Sequence, residues 1–260
     1  MRLQIHHIDP LLRPYVRLIC TMECIDESDT EYIRVLPDCC VELFINYTST
    51  PIAIIENELY QHSIVTFRMT RSKDVQMRKG SGCIAICFHP GMAYPFFNIP
   101  MHLLSDTITP LANLWNYTTS DIEEKLAAAH INDERVNIVQ QHLLELLKTN
   151  GANLPIIHSL EKVKLSLSLV TISELIDDIG ISQRQLSRKF QQQIGLSPAA
   201  YLKVNRFINS LYQLKKYPDW SLTEIAYESG YYDQAHFVRD YKAYTGHTPG
   251  QVANSKHILY

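Results

Sequence analysis

The chain has 260 residues, 46% of them hydrophobic and 20% charged, which fits an ordinary water-soluble protein of one or two domains. With no run of eighteen apolar residues, and an opening MRLQIHHIDP that lacks a signal-peptide core, a membrane-spanning or exported protein is argued against; a cytoplasmic one, with its six cysteines as thiols, is expected. The net charge of −3 hides an asymmetry, since residues from Pro155 onward carry 12 basic against 9 acidic groups and the earlier part 12 against 18, so only the second part suits a polyanion.

To about Cys87 the chain reads as short strands. LLRPYVRLICTMEC opens with a helical turn around Pro14 and continues as a strand. CVELFINY, PIAIIENELY, HSIVTFRMT and CIAICFHP are rich in Ile, Val, Phe and Tyr and bounded by Pro, Ser, Thr or Gly, the marks of a small curved sheet or barrel. From Gly91, PGMAYPFFNIPMHLLSDTITPLANLW mixes prolines, aromatics and short helical pieces, as a packed connector does. Thr119 or Ser120 can cap a helix over DIEEKLAAAH. DERVNIVQQHLLELLKTNG is an amphipathic helix, with Val136, Val139, Leu143 and Leu147 on one stripe and Gly151 as its stop. That stripe serves either packing on its own domain or a seam with a second copy. The polar break TNGANLP then divides the chain into domains 1–151 and 152–260.

From Thr171 to Pro249 one pattern is written twice. An offset of fifty pairs Thr171 with Ser221, Glu174 with Glu224, Leu175 with Ile225 and Gly180 with Gly230; an offset of fifty-one then pairs Leu186 with Phe237, Arg188 with Arg239, Phe190 with Tyr241, Gly195 with Gly246 and Pro198 with Pro249. Each copy has a capping box at Thr171/Glu174 or Ser221/Glu224, and a glycine that supplies a positive φ for a tight turn. Each also has a second helix start, at Ser182 or Asp233, and a buried stripe: Leu186, Phe190 and Ile194, or Phe237, Tyr241 and Tyr244. These are two helix-turn-helix units, near 171–195 and 221–246, the second with a turn one residue longer.

GISQRQLSRKFQQQIGLSP and AYESGYYDQAHFVRDYKAYTGHTP resemble the two reading units of the AraC family of bacterial transcription regulators, and the resemblance runs from about Pro155 to Ser255. It implies a seven-helix DNA-binding domain whose two recognition helices enter successive major-groove segments, joined by a central helix. Here that helix is Pro198 to Lys216, roughly 28 Å long at 1.5 Å per residue, against roughly 34 Å for one duplex turn. The same mapping selects Gln183, Arg184, Gln185, Ser187 and Arg188 in the first unit, and Gln234, Ala235, His236, Val238 and Arg239 in the second, as the side chains facing double-stranded DNA. For Arg188 and Arg239, an ion pair within the helix or a phosphate contact competes with base readout. The front half, in LLRPYV, LPDCCVELFINY and CFHPGMAYPFFNIPMHLLSDTITPLANLW, is similar to a domain of unknown function found ahead of AraC-type readers, with Cys39 where that domain has Gly after Pro37 and Asp38.

The expected fold is α+β: a β-rich, barrel-like front domain with trailing helices, then an all-α domain of seven helices. By analogy with AraC-type proteins the front domain senses a small molecule or mediates pairing into a homodimer. Tyr94, Phe96, Phe97 and Trp115 serve either as the wall of an apolar effector pocket or as core under the connector. No metal, cofactor or catalytic group is expected. Cys20 and Cys24, like Cys83 and Cys87, are four apart, about 13 Å along a strand at about 3.3 Å per residue, too far for one zinc unless the pairs sit on helices or different pairs meet across strands. Cys40 with His89 lacks an orienting third group. The competing readings are a metal-dependent barrel enzyme, or a protein-partner module, fused to a DNA reader.

Overall fold

The computed structural model describes residues 1–25, 28–30, 32–36, 39–149, 154–166, 169–253 and 258–259. The front part runs β1 (Arg2–Ile5), β2 (Val16–Glu23), β3 (Ile33–Val35), β4 (Glu42–Asn46), β5 (Ala53–Ile55), β6 (Glu58–Tyr60), β7 (Ile64–Thr66), β8 (Lys73–Met77) and β9 (Gly82–Phe88). There follow α1 (Tyr94–Phe97), a 3₁₀ turn at Met101–Leu103, β10 (Ile108–Pro110), α2 (Ala112–Trp115), α3 (Thr118–Ala128) and α4 (Asn132–Thr149). One sheet has the order β1-β2-β9-β4-β7-β10. The other has β3-β8-β5-β6, with β11 (Ile258–Leu259) laid parallel on β3 from the far end of the chain. Among the described residues no strand pairs from one sheet to the other, so the front domain is an open two-layer sandwich and not the closed barrel its strand pattern allowed. The connector also contributes to the sheet, because Ile108–Pro110 pairs antiparallel with β7.

Alternation along the strands sorts side chains between two layers. Ile84, Ile86 and Phe88 of β9, Leu43 and Ile45 of β4, and Val16 and Ile19 of β2 face the trailing helices and share a core with Phe96, Trp115, Ile122, Val136, Val139 and Leu143. The stripe of α4 is thereby covered by its own domain. The helix expected to be capped by Thr119 or Ser120 begins earlier, at Thr118; the chain leaves α2 through backbone bonds from Thr119 to Asn116 and from Asp121 to Tyr117, which place Thr119 inside the first turn, buried. Of the expected break, residues 150–153, including Gly151, lie outside the described residues, and Leu154 and Pro155 already open the next helix. Pro37 and Asp38 lie outside them as well.

His142 of α4 packs against Trp115, ring centroids 4.7 Å apart, with its Nε2 buried and without a hydrogen-bond partner. Burial holds its pKa below the ordinary histidine value of 6.5, and His89 is displaced the same way, again first by burial. A depressed folded pKa gives stability that is complete above the unfolded value and is lost as pH falls through the folded one. The denaturation midpoint should therefore drop between about pH 7 and about pH 5, and part of that dependence should vanish in His142→Phe. A midpoint indifferent to pH over this range would contradict a neutral buried ring.

The second part has seven helices among the described residues: α5 (Leu154–Leu165), α6 (Ile172–Ile179), α7 (Gln183–Gln193), α8 (Pro198–Lys216), α9 (Leu222–Glu228), α10 (Gln234–Thr245) and α11 (Pro249–Ala253). The expected caps are present. Thr171 with Glu174 and Ser221 with Glu224 form full capping boxes, and Ser182 and Asp233 cap α7 and α10 through the amides of Gln185 and His236. The stripe residues Leu186, Phe190, Phe237 and Tyr241 are fully buried, and Leu175 and Ile225 beneath them likewise. Gly180 at φ 66° and Gly230 at φ 80° turn the chain between the helices of each unit. Valine at either is expected to lower stability by about 1 kcal/mol or more. The loss should be greater at Gly230, where a Cβ would sit 2.6 Å from Leu169 Cδ2, than at Gly180, where nothing lies within 4 Å. Equal melting temperatures for both variants and the parent would show that the turns are not strained.

Candidate nucleic-acid interface and ligand cavity

The two reading helices present unequal faces. On α7, Gln183, Arg184, Gln185 and Arg188 are exposed and Ser187 is half-buried; on α10, Gln234, Ala235 and Arg239 are exposed, while His236 and Val238 are half-buried. Four of these ten side chains are already engaged, among them Gln234, whose Oε1 accepts from the Thr223 hydroxyl at 3.3 Å. The Oε1 of Gln185 accepts from the amide and hydroxyl of Ser182 at 2.9 and 3.0 Å, closing a third capping box that turns this side chain back on its own helix. His236 packs edge-on against Tyr231 at 5.2 Å, 3.8 Å from the buried carboxylate of Asp240. Val238 packs against the second unit's core. Among the described residues neither Arg188 nor Arg239 makes an ion pair, so the intrahelical alternative for them is not what the fold adopts.

Both units are fixed to α8, whose 19 residues run from Pro198 to Lys216 as expected. Phe190 meets Tyr201 edge-on at 5.7 Å in the first unit, and Phe207 meets Tyr241 at 5.0 Å in the second. Lys203 of α8 reaches Asp240 of α10 at 3.1 Å. The front domain grips the rear of the same assembly. Cys39 and Met92 enter the core of the first unit, Leu36 enters that of the second, and Arg34, paired through two 2.8 Å bonds to Asp74, also lies 3.2 Å from His247 beyond α10. At the end of α7, Gln192 donates to the Tyr94 hydroxyl at 3.0 Å and His102 meets the Gln191 carbonyl at 3.3 Å. The first half of α7, which carries Gln183, Arg184 and Arg188, stays clear of these contacts.

Between the two sheets lies a cavity of about 750 Å³. Its lining is largely aliphatic and sulfur-bearing, and it takes in Ile208, Leu211 and Tyr212 of α8, so that one space touches both the front domain and the reader's central helix. Arg17, Glu42 and Lys215 are the charged residues of its wall. None of Tyr94, Phe96, Phe97 and Trp115 lines it. Phe96, Phe97 and Trp115 are buried in the helix-side core, where Trp115 stacks on Phe97 at 6.0 Å and donates through Nε1 to the Phe96 carbonyl, and Tyr94 faces α7. These aromatics face the helix layer, and the cavity opens on the opposite side of the sheet. Among the described residues no three His, Cys, Asp or Glu side chains converge to hold a metal ion, and no helix is long and apolar enough to cross a membrane.

Residues 175–255 match the family described as a helix-turn-helix domain, and residues 5–110 match a domain of unknown function (DUF6597). An uncharacterized HTH-type transcriptional regulator of Haemophilus influenzae is 30% identical over 119 residues, 46% of this chain and 39% of that one. The HTH-type transcriptional regulator MtrA of Neisseria gonorrhoeae is 35% identical over 80 residues, 31% of this chain and 26% of that one. The chain thus matches well under half the length of these relatives. Among solved structures, unsaturated fatty acid bound ToxT from Vibrio cholerae is 10% identical with a TM-score of 0.43, covering 95% of this chain and 96% of that one. In sequence, the chain carries, behind a domain of unknown function, the paired helix-turn-helix domain of the AraC family of transcription regulators.

Proposed function

We propose that this chain is a sequence-specific, DNA-binding transcription regulator acting in the cytoplasm, with a front domain (1–151) that takes a small-molecule effector in the intersheet cavity and a reader (152–260). The observation that carries the reading is the pair of capped recognition helices braced on one central helix. Their exposed faces hold Gln183, Arg184 and Arg188 in one unit and Gln234, Ala235 and Arg239 in the other. Arginine offers two donors to guanine and glutamine pairs with adenine, whereas alanine offers only apolar contact, so the two units read different half-sites and the target is an asymmetric, direct element. The modest +3 of the reader means that affinity comes from placed contacts more than from bulk field.

The test is selection of bound genomic fragments by the full chain, followed by footprinting. One asymmetric element protected over two adjacent major-groove segments is the expected result, and no enrichment over input DNA would overturn the regulator reading. Metal analysis of protein purified without a histidine tag tests the barrel-enzyme alternative. For the domain division, residues 152–260 expressed alone should be helical and should bind the selected element, at reduced stability because Leu36, Cys39 and Met92 leave the two cores. Pairing into a homodimer, if it occurs, uses a surface other than the α4 stripe, whose Val136, Val139 and Leu143 are buried.

A further inference from the structure

The cavity face of the six-stranded sheet has an uncommon chemistry. Cys83 and Cys87 on β9, Cys20 on β2 and Cys40 before β4 all line the cavity, joined there by the thioethers of Met22, Met69 and Met77. In the β2–β9 register Cys20 stands opposite Ala85, between Cys83 and Cys87. The thiols are not equivalent. Burial, and after it the charge of Glu42, pushes Cys20 up to about 11, and complete burial pushes Cys83 up as well, so both stay protonated and poor nucleophiles. Cys87 faces Glu42 across the β4–β9 register but has a cationic neighbour as well. Arg17 is exposed at the cavity wall, and its Nη2 donates to the Cys87 sulfur at 3.1 Å.

We propose that this cavity is a modification site for a small, apolar α,β-unsaturated carbonyl compound, captured by Cys87. The step is a conjugate addition and needs no oxidant or reductant. The sulfur bonds to the β-carbon, the carbon–carbon π pair moves toward the carbonyl oxygen, the Arg17 guanidinium donates to the enolate oxygen so formed, and the proton released by the thiol is returned to the α-carbon. The product is a saturated thioether held among aliphatic side chains. The wall selects the class: a charged electrophile would lose its hydration among Ile52, Ile55, Ile64 and Val75, whereas a neutral one gains by burial. A thiophilic metal ion is the less suited occupant, because the described thiols do not converge in threes. An adduct on Cys87 shares its cavity with Ile208, Leu211 and Tyr212 of α8, so its formation bears on the helix that spaces the two units. That last step rests on the regulator reading above; the capture itself does not.

The experiment is intact-mass analysis and peptide mapping of the full chain incubated with cinnamaldehyde in the presence of glutathione, with binding of each form to the selected genomic element measured in parallel. We expect a single adduct on Cys87, absent in Cys87→Ser, retained in Cys20→Ser, and formed on the order of tenfold more slowly in Arg17→Gln, whose side chain no longer places a cation beside the sulfur. An adduct that prefers Cys20, Cys40 or Cys83 overturns the assignment. So does a folded chain that stays unmodified while the urea-unfolded chain reacts, and so does a rate in Arg17→Gln equal to the parent's. Should Cys87→Ser fail to fold by thermal melting, mapping on the parent and the Arg17→Gln rate decide the matter. An adduct on Cys87 that leaves DNA affinity unchanged overturns the link to α8 alone, and failure of both forms to bind DNA overturns the regulator reading and not the capture.

Discussion

Alanine at Arg184 or at Gln234 is expected to relax discrimination at particular base pairs of the target by roughly 1–3 kcal/mol each, with the remaining positions read as before. Both side chains are exposed at the start of a recognition helix, where a helix entering the major groove brings its first turn to the base edges. Gln234 is held in place before DNA arrives, since its Oε1 accepts from the Thr223 hydroxyl at 3.3 Å, which leaves its amide free to point outward. Arg188 and Arg239 lie one turn further on. If they contact phosphate, their alanine variants weaken all sequences alike and flatten the salt dependence by about one unit; if they contact bases, the loss depends on sequence. The measurement is a binding series over single-base variants of the element at several salt concentrations, for Arg184→Ala, Arg188→Ala, Gln234→Ala and Arg239→Ala. Parent-like binding by all four would remove these helices from the interface. Gln185→Ala is a useful contrast, because its capping-box role predicts a loss of stability more than of discrimination.

The reader was legible in the sequence because its determinants are local. Thr171 with Glu174, Ser221 with Glu224 and the glycines at 180 and 230 act within a few residues of themselves, and a repeat fifty residues apart doubles the signal. The front domain was legible only in part. β3 and β8 are short and hold charged residues such as Arg34 and Asp74, which make an ion pair within the sheet, so neither stood out as a strand. The cavity was hidden for a different reason. Cysteines four apart were measured along their own strands, whereas the antiparallel register of β2 on β9 sets Cys20 between Cys83 and Cys87, a relation between segments more than sixty residues apart that no periodicity carries. The aromatics around Pro95 suggested a pocket by composition, but the sheet has two apolar faces, and they lie on the one covered by α3 and α4. Sequence patterns report which residues are buried more readily than which layer buries them.

Valine at Gly195 should be among the most damaging single substitutions in the chain, costing about 2–4 kcal/mol as the sum of left-handed strain and overpacking. Gly195 closes α7 at φ 81°, and a Cβ there would lie 2.9 Å from Ser105 Oγ and 3.0 Å from the Met101 carbonyl oxygen. That carbonyl belongs to the backbone of the 3₁₀ turn, which no rotamer change can withdraw. Gly91 is its counterpart on the other side of the joint: at φ 74°, its Cβ would meet Leu160 Cδ1 at 2.7 Å and Ile194 Cγ1 at 3.0 Å. The front domain and the first reading unit thus approach each other through two glycines, one from each side, with Ile194 and Gly195 adjacent in the chain. Gly180→Val separates strain from contact, since it imposes the same backbone region with nothing within 4 Å. Chemical denaturation of the full chain should place Gly195→Val and Gly91→Val well below Gly180→Val in stability. Equal losses for the three would mean that the approach of the two domains contributes nothing. A larger loss at the two joint glycines would show that the first reading unit is held to the front domain by backbone proximity as well as by the side chains of Cys39 and Met92, and that any ligand altering the front sheet acts on the reader through a stiff connection.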